Sequence, residues 1–264
     1  MVDDSKLVNA GTRGRERLER AVAAFRELSA GGSHGLDNWL STPPASSRKW
    51  LRAAPWFSQL DGPLCPHADR QRAKLDASLI LRDLDQAGCT FAGFGARAVP
   101  AGEWNRLLDR HRSKGIVLFE VTMSIVKHLL RLSAGSPMRI ECDRHGARRR
   151  YGSSLQRSLG ADSIEVHSET AVASLYTLKV GGREVQIRFS QEADSSFYQV
   201  ALASLAAKQT RECLMDAWNL WFSTRLPDVR ATKGYAKDGK RWLFDAGESL
   251  AAFEIDSSLL RRNR

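Results

Sequence analysis

The stretch ADSSFYQVALASLAAKQTRECLM, residues 193–215, is the part of the chain that decides how the rest is interpreted. It begins with a turn-like Ala-Asp-Ser-Ser and continues for about five turns without proline or glycine, which predicts one long helix. Alanine and serine make this helix thin, so that it can lie close against a sheet. Its apolar residues recur at helical spacing and leave a polar group on or near one face: Lys208, Thr210, Arg211 and Glu212. Asp194 precedes the helix, where aspartate is a common N-cap.

Composition limits the class of protein. A chain of 264 residues of which 42% are hydrophobic can bury a sizeable core, and we expect a single domain over residues 1–264. The formal net charge of +10 suits a polyanionic partner, either nucleic acid or an anionic membrane surface. No apolar run approaches the ~20 residues of a membrane span, so we expect no membrane insertion.

The termini and cysteines indicate a compartment. The N-terminus MVDDSKLV is acidic and polar, unlike a signal peptide. The four cysteines form no Cys-x-x-Cys pair, which argues against a zinc site and favours reduced thiols. We therefore expect a cytoplasmic protein.

Alternation and periodicity predict mixed strands and helices. Helices are predicted over about 13–29, 70–87 and 114–132. Strands are predicted at CTFAGFGARAV (89–99), at MRIECD (138–143), and in three segments over 164–189 with a hairpin at Gly181-Gly182. This order predicts an α/β domain whose sheet is partly antiparallel.

Residues 33–70 interrupt the pattern with five prolines and four large aromatic residues. We interpret them as an inserted segment that docks through its aromatic side chains. Its tryptophans are either simple anchors or, beside Arg48, Lys49 and Arg52, platforms on which bases stack.

Several segments, taken together, resemble the type 2 ribonuclease H family (ribonuclease HII). Asp194 and the Ala-Ser-rich helix with Ala-Lys-x-Thr-Arg-Glu are in register with the segment that carries the family's last metal ligand. Ile140-Glu-Cys-Asp143 resembles the strand ending in Val/Ile-Asp, and Lys233-Gly-Tyr235 resembles a Lys-Gly-Tyr that follows the helix. Asp4-Ser5-Lys6 and FAGFGARAVPAGEWN (91–105) resemble two further family segments.

The resemblance implies a ribonuclease H-like mixed sheet flanked by helices, and a metal site. It assigns Asp143 and Asp194 as catalytic ligands of Mg²⁺ or Mn²⁺, and Asp238 as an acidic position near the metals. Two such ions about 4 Å apart activate water and stabilise the leaving oxygen in phosphoryl chemistry. The implied activity is hydrolysis of RNA in RNA–DNA hybrids, or at ribonucleotides embedded in DNA.

The resemblance also implies the residues that contact substrate, which are Ser5, Lys6, Lys208, Lys233 and Tyr235. The family's tyrosine packs at the junction between ribonucleotide and deoxyribonucleotide, where the 2′-hydroxyl distinguishes RNA from DNA. Basic clusters adjoin two of the proposed sites: Arg144, Arg148, Arg149 and Arg150 after Asp143, and Lys233, Lys237, Lys240 and Arg241 around Tyr235. They are either solvated faces or contacts to phosphate.

One departure from the family lowers the expected activity. The family carries an Asp-Glu pair in a glycine-containing turn on its first strand, and no such motif occurs in this chain. We therefore expect the sheet to be incomplete at its N-terminal side, with the first strand or two upstream of Met1, and we expect hydrolysis to be impaired.

Two other functions remain open, as do plainer interpretations of single residues. The chain is alternatively a non-catalytic nucleic-acid-binding homologue, or a basic α/β scaffold with no role in nucleic acid. Asp143 is alternatively a loop-entry aspartate paired with Arg144 or Arg148, and His145 is either a proton shuttle or a solvated turn histidine. In each case we expect a monomer.

Overall fold

The computed structural model describes residues 2, 8, 10, 11, 13–29, 34–42, 44, 46–133 and 135–263. Residues 1–14 with 110–205 form one compact unit, and residues 15–109 with 206–264 form another. These are called the first unit and the second unit, respectively. The prediction of a single domain over 1–264 stays a prediction.

The chain is α/β, as predicted, with one four-stranded mixed sheet. In chain order the elements are α1 (Gly14–Leu28), α2 (Leu36–Ser41), α3 (Arg48–Arg52), a 3₁₀ turn (Pro55–Phe57), α4 (Arg70–Gln86), α5 (Ala101–His111), α6 (Lys114–Leu132), β1 (Met138–Asp143), α7 (Gly152–Leu159), β2 (Ser163–Glu169), β3 (Ala173–Val180), β4 (Arg183–Ser190), α8 (Ala193–Ser196), α9 (Tyr198–Ser223), α10 (Ala236–Ala246), a 3₁₀ turn (Gly247–Phe253) and α11 (Ser257–Leu260).

The sheet lies in the first unit and has the strand order β1-β4-β3-β2. β2, β3 and β4 form an antiparallel meander, and β1 pairs in parallel with β4, so that Asp143 is opposite Ser190. The predicted strands at MRIECD and over 164–189 are confirmed. So is the turn at Gly181-Gly182, where both residues have positive φ, as a two-residue hairpin requires.

One face of the sheet holds the core of the first unit. Alternate residues of the strands point into it and pack against α6 and α7, among them Ile140, Tyr176, Val185, Ile187 and Phe189. Burial of each of these side chains contributes about 1.5–3 kcal/mol. The opposite face is polar, because the intervening positions of β1 and β4 are Arg139, Glu141, Asp143, Gln186, Arg188 and Ser190.

The segment 33–70 docks by its aromatic residues, as predicted, within the second unit. Trp39 is fully buried and its indole Nε1 donates to the Thr210 hydroxyl at 2.8 Å. Trp56 is 3% exposed, and its ring centroid lies 4.4 Å from that of Trp218. These two tryptophans are therefore anchors, and neither presents a face on which a base can stack.

The predicted strand CTFAGFGARAV is wrong, because residues 89–99 form no β-ladder. Phe91 and Phe94 instead pack on Phe25, with ring centroids 5.5 and 6.0 Å away. The backbone N–H of Ala98 donates to the Ser46 hydroxyl at 2.8 Å. The alternation of the sequence reflects this aromatic packing and not pairing with a neighbouring strand.

The predicted helix over 193–215 is interrupted near its start. Phe197 has φ −128° and ψ 117°, which is extended backbone, and it separates α8 from α9. The helix over 70–87 is confirmed, but it buries Ala73, Asp76 and Ala77 and exposes Leu75 and Leu79. Asp76 is buried because both of its oxygens accept hydrogen bonds from Arg20 at 2.6 and 2.7 Å.

The four cysteines are free thiols. Burial raises the pKa of Cys65, and it raises the pKa of Cys142 and of Cys213 to about 12. Cys89 is exposed at the end of α4. Among the described residues, no helix is both long and apolar enough to cross a membrane.

Candidate active site and nucleic-acid surface

Asp143 ends β1 in the first unit, at the edge of the sheet where the chain turns away. Its side chain is exposed, and its Oδ1 accepts a hydrogen bond from the Ala193 backbone N–H at 3.3 Å. Arg144 is used elsewhere, since its guanidinium donates to the carbonyls of Thr170 and Ala171. The guanidinium of Arg148 also contacts other side chains, so the interpretation of Asp143 as the partner of Arg144 or Arg148 is wrong.

Asp194 follows Ala193 directly, in the first turn of α8. The hydrogen bond from Ala193 to Asp143 therefore links Asp143 to the residue that precedes Asp194, although the two aspartates are distant in the sequence. Asp194 is not the N-cap of this helix; that position belongs to Glu192, whose φ is +50°. A non-glycine residue in this left-handed region is strained, and the strain lies beside both carboxylates.

The two carboxylates suit a hard cation only in part. Carboxylate oxygens are the ligands that Mg²⁺ and Mn²⁺ prefer, and Mg²⁺ is often held by one or two of them with waters completing the shell. Within the part of the chain that the structure describes, no group of three or more His, Cys, Asp or Glu side chains is arranged to hold a metal. Asp143 and Asp194 therefore fit one water-rich ion better than a pair of ions.

His145, two residues after Asp143, lies in an aromatic pocket. Its ring is 5.6–6.5 Å from those of Phe119, Tyr151 and Phe189, and its Nε2 is 3.0 Å from the Thr122 hydroxyl. Burial, reinforced by the nearby charge of Arg148, lowers the pKa of His145 to about 4. The solvated turn histidine is thus wrong, and the imidazole is neutral at physiological pH.

The arginines that follow Asp143 differ in whether their side chains bind other groups of the protein or are exposed. The Arg148 guanidinium stacks on Phe119 and Tyr151 at 4.7 and 4.6 Å and donates to Ser154 at 2.6 Å. Arg149 and Arg150 are exposed, and the Arg150 guanidinium, 91% exposed, lies 3.8 Å from Glu169 Oε2. Arg149, which forms no ion pair within the described residues, is therefore the arginine of this run that is most available to phosphate.

In the second unit, Tyr235 stands at the centre of a charged network. The Lys208 ammonium donates to the Tyr235 hydroxyl at 2.8 Å and lies 2.9 Å from Glu212 Oε1. The Arg211 guanidinium covers one face of the tyrosine ring at 4.1 Å from its centroid. The tyrosine is still 53% exposed, so the network fixes the ring and leaves surface for a ligand.

Hydrogen bonding sets the charge states of this network. The bond from Lys208, aided by the charge of Arg211, lowers the pKa of Tyr235. Burial opposes the charge of Glu212, but Lys208 and Arg211 outweigh it and lower the pKa of that carboxyl. Arg15 adds a third cation to the same carboxylate at 3.5 Å. Glu212 therefore serves as an anionic anchor for the cations that hold Tyr235.

The carboxylate of Asp238 accepts hydrogen bonds from the loop that carries Tyr235. Its Oδ2 accepts from the Thr232 hydroxyl at 2.9 Å and from the Lys233 backbone N–H at 2.6 Å, and its Oδ1 accepts from Arg241 at 2.7 Å. These bonds, with that of Arg241 first, hold the pKa of Asp238 far below its usual range. The predicted metal role of Asp238 stays a prediction, and a cation there would displace bonds that shape the loop.

The predicted site residues lie in both units, and two of them lie outside the described residues. In the first unit, Asp143 is bonded to the residue that precedes Asp194. In the second unit, Lys208 contacts Tyr235, and Lys233 is exposed two residues before that tyrosine. Ser5 and Lys6 lie outside the described residues. Sequence reasoning missed Arg211 as a partner of Tyr235. Its spacing of three residues from Lys208, which places both cations on one helix face, was the available signal.

No family model, curated protein or solved structure matches this chain.

Proposed function

We propose that the chain is a ribonuclease H-like protein that binds RNA–DNA hybrids, or DNA with embedded ribonucleotides, and hydrolyses them slowly. The observation that carries this proposal is the hydrogen bond from Ala193 to Asp143, because it supports a shared role for Asp143 and Asp194. The two carboxylates would hold Mg²⁺ or Mn²⁺, which supplies the positive charge that activates water and stabilises the leaving oxygen.

The residues of the second unit supply binding. Tyr235 presents an exposed ring held by Lys208 and Arg211, which suits contact with a sugar and base of a bound strand. The exposed ammonium of Lys233 suits a phosphate beside it, because such contacts position a strand without reading its sequence. Substrate selection in this proposal depends on Tyr235 and not on base-specific contacts.

Slow turnover follows from the number of ligands. Two carboxylates favour weak cation binding, because the described residues contain no group of three or more side chains that could hold a metal. The same observation favours a second candidate function, in which the chain binds these nucleic acids without cleaving them. The two functions differ in a single outcome, which is the production of a nick.

The test is cleavage of a DNA duplex with one ribonucleotide, in Mn²⁺, by the wild type, Asp143→Asn, Asp194→Asn and Asp162→Asn. Asp162 is an exposed aspartate of the same unit and serves as the matched control. We expect slow nicking by the wild type and the control, at least tenfold slower nicking by the two other variants, and equal binding by all four. Binding without any nick establishes the second candidate. Nicking that persists in both Asp143→Asn and Asp194→Asn overturns the assignment of these carboxylates.

A further inference from the structure

The helix α10 presents a face that the proposed function does not use. Its buried side places Trp242 and Ala246 in a core with Trp218 and Phe222. Its other side is exposed and carries Phe244, which at 86% is the most exposed large hydrophobic side chain in the described part of the chain. A single exposed hydrophobic side chain is common on protein surfaces, so a ligand is indicated by the charges that lie beside this ring and not by the ring alone.

The cations of α10 lie on the same side as Phe244. Positions 237, 240 and 244 are three, four and seven residues apart, a spacing that places them along one face of a helix. Lys237 and Lys240 are exposed, and within the described residues neither forms an ion pair. Arg241, in contrast, is engaged by Asp238, Asp245 and the carbonyls of residues 230 and 231. The available charge of this face is therefore that of the two lysines.

We propose that the face of α10 formed by Lys237, Lys240 and Phe244 binds an unpaired strand of nucleic acid. A base stacks on Phe244, and the two lysines contact the flanking phosphates. Aromatic rings beside cations are the usual elements of single-strand binding, because every base has a face that can stack. The bases of an intact duplex already stack on one another, so Phe244 selects a strand that is unpaired.

The length of the helix connects this face to Tyr235. Tyr235 is the N-cap of α10, and nine residues at 1.5 Å each place Phe244 about 13 Å along the helix axis. A strand of a few nucleotides covers this span. The face thus continues the surface around Tyr235, but it requires neither the metal site nor hydrolysis.

Two other occupants fit the chemistry less well. A helix that lies in a membrane interface needs an apolar stripe along its outer face, and here the apolar side of α10 is used by the core and a single ring points outward. In a symmetric contact between two copies, the lysines of one helix would meet the lysines of the other and repel. A polyanionic strand satisfies both the ring and the lysines.

The test is the affinity of a labelled short oligodeoxythymidine for the wild type, Phe244→Ala, Phe244→Trp and the double variant Lys237→Gln/Lys240→Gln. Leu79→Ala, which removes an exposed leucine of α4 in the same unit, is the matched control. We expect Phe244→Ala to weaken binding about five- to a hundredfold and Phe244→Trp to restore it. The double variant should lower the slope of log K against log salt by about 1.4, since each phosphate contact on a single strand contributes about 0.7.

Several outcomes overturn this proposal. They are a wild type that does not bind the oligonucleotide at low salt, a Phe244→Ala variant that binds as well as Leu79→Ala, and equal losses for the oligonucleotide and for a blunt duplex. Phe244→Ala that releases the protein from anionic vesicles, or that abolishes a dimer, while leaving oligonucleotide affinity unchanged, assigns the ring to a membrane or to a second copy. Because Asp143→Asn and Asp194→Asn should bind the oligonucleotide normally, failure of the cleavage proposal is distinguishable from failure of this one.

Discussion

His145 is the residue whose environment departs furthest from that of an ordinary surface histidine. Its pKa lies near 4 in the folded chain, against an ordinary value of 6.5, so on acidification the unfolded chain takes up the proton first. The contribution of His145 to the stability of the fold is therefore fully present above about pH 7 and is lost as the pH decreases from about 6.5 to about 4.

We expect this effect to reach about 2 kcal/mol after allowance for the partial exposure of the ring. Urea denaturation at a series of pH values measures it, and His145→Gln should remove that part of the pH dependence. A variant at position 145 with the pH profile of the wild type contradicts the prediction.

Tyr235 should be the first tyrosine to ionise as the pH rises. The bond from Lys208 lowers its pKa, whereas burial raises the pKa of Tyr151, Tyr176 and Tyr198. Titration of phenolate absorbance should show one early transition that disappears in Tyr235→Phe. Replacement of Lys208 by methionine should move this transition to higher pH. An unchanged transition would show that the hydrogen bond does not persist in solution.

At the scale of elements, the turn before α10 depends on a glycine. Gly234 has φ +69°, and a Cβ at this position would lie 2.8 Å from Met215 Sδ. Gly88 has φ +64° with nothing within 4 Å of such an atom, and so experiences only the backbone strain. We expect Gly88→Ala to lower the free energy of unfolding by about 1–2 kcal/mol and Gly234→Ala by about 1 kcal/mol more. If thermal or urea denaturation shows equal losses of stability for the two variants, the contact with Met215 has no effect.

The final helix α11 is tied to α5 by Asn105. The Asn105 side chain donates to the carbonyls of Ser258 and Arg261 at 2.8 Å each, and its Oδ1 accepts from the Asn263 N–H at 2.7 Å. The variant Asn105→Ala loses these three bonds, which should lower the free energy of unfolding by about 3 kcal/mol. It should also make residues 257–263 accessible to carboxypeptidase. Ser258→Ala keeps the carbonyl that accepts the bond, so its digestion rate should remain near that of the wild type.

Elements with a strong internal pattern were predictable. Residues 198–215 of α9, the helix α6 and the hairpin of β3 and β4 follow from periodicity and from Gly181-Gly182, whereas the extension of α9 to Ser223 was not predicted. The prediction of a strand at 89–99 was wrong, because alternating apolar residues also occur where an extended segment packs on aromatic side chains. The buried side of α4 could not be read from its sequence, because it depends on the bond from Arg20 to Asp76, between residues distant in the sequence.

The same limit applies to the candidate site. The sequence predicted Asp143 at a strand end and Asp194 near a helix start, but only the hydrogen bond from the Ala193 N–H to Asp143 shows that the two segments are in contact. Arg211 was visible as one cation among many, and its position over Tyr235 depends on the loop that Asp238 shapes. Contacts between distant segments carry no local pattern, which is why these were missed.

For the whole molecule, the large positive charge predicts how binding responds to salt. The chain has 40 lysine and arginine residues, but those around Tyr235 and Asp143 are partly committed to carboxylates, carbonyls and rings. We therefore expect the affinity for a duplex to fall with salt by a slope that corresponds to a few phosphates, at about 0.9 for each. Lys233→Gln should lower that slope by about 0.9, and Arg82→Gln, at a site paired with Asp83, should not. Equal slopes for the two variants would contradict the role of Lys233.

The distribution of thiols makes the protein convenient to tag. A thiol reacts as its thiolate, and burial keeps three of the four sulfurs protonated at neutral pH, so maleimide chemistry should attach one dye, at Cys89. A fluorophore could thus be introduced into the unaltered chain at the end of α4. Every affinity described above could then be read from the wild-type protein by fluorescence anisotropy, with no cysteine replaced beforehand.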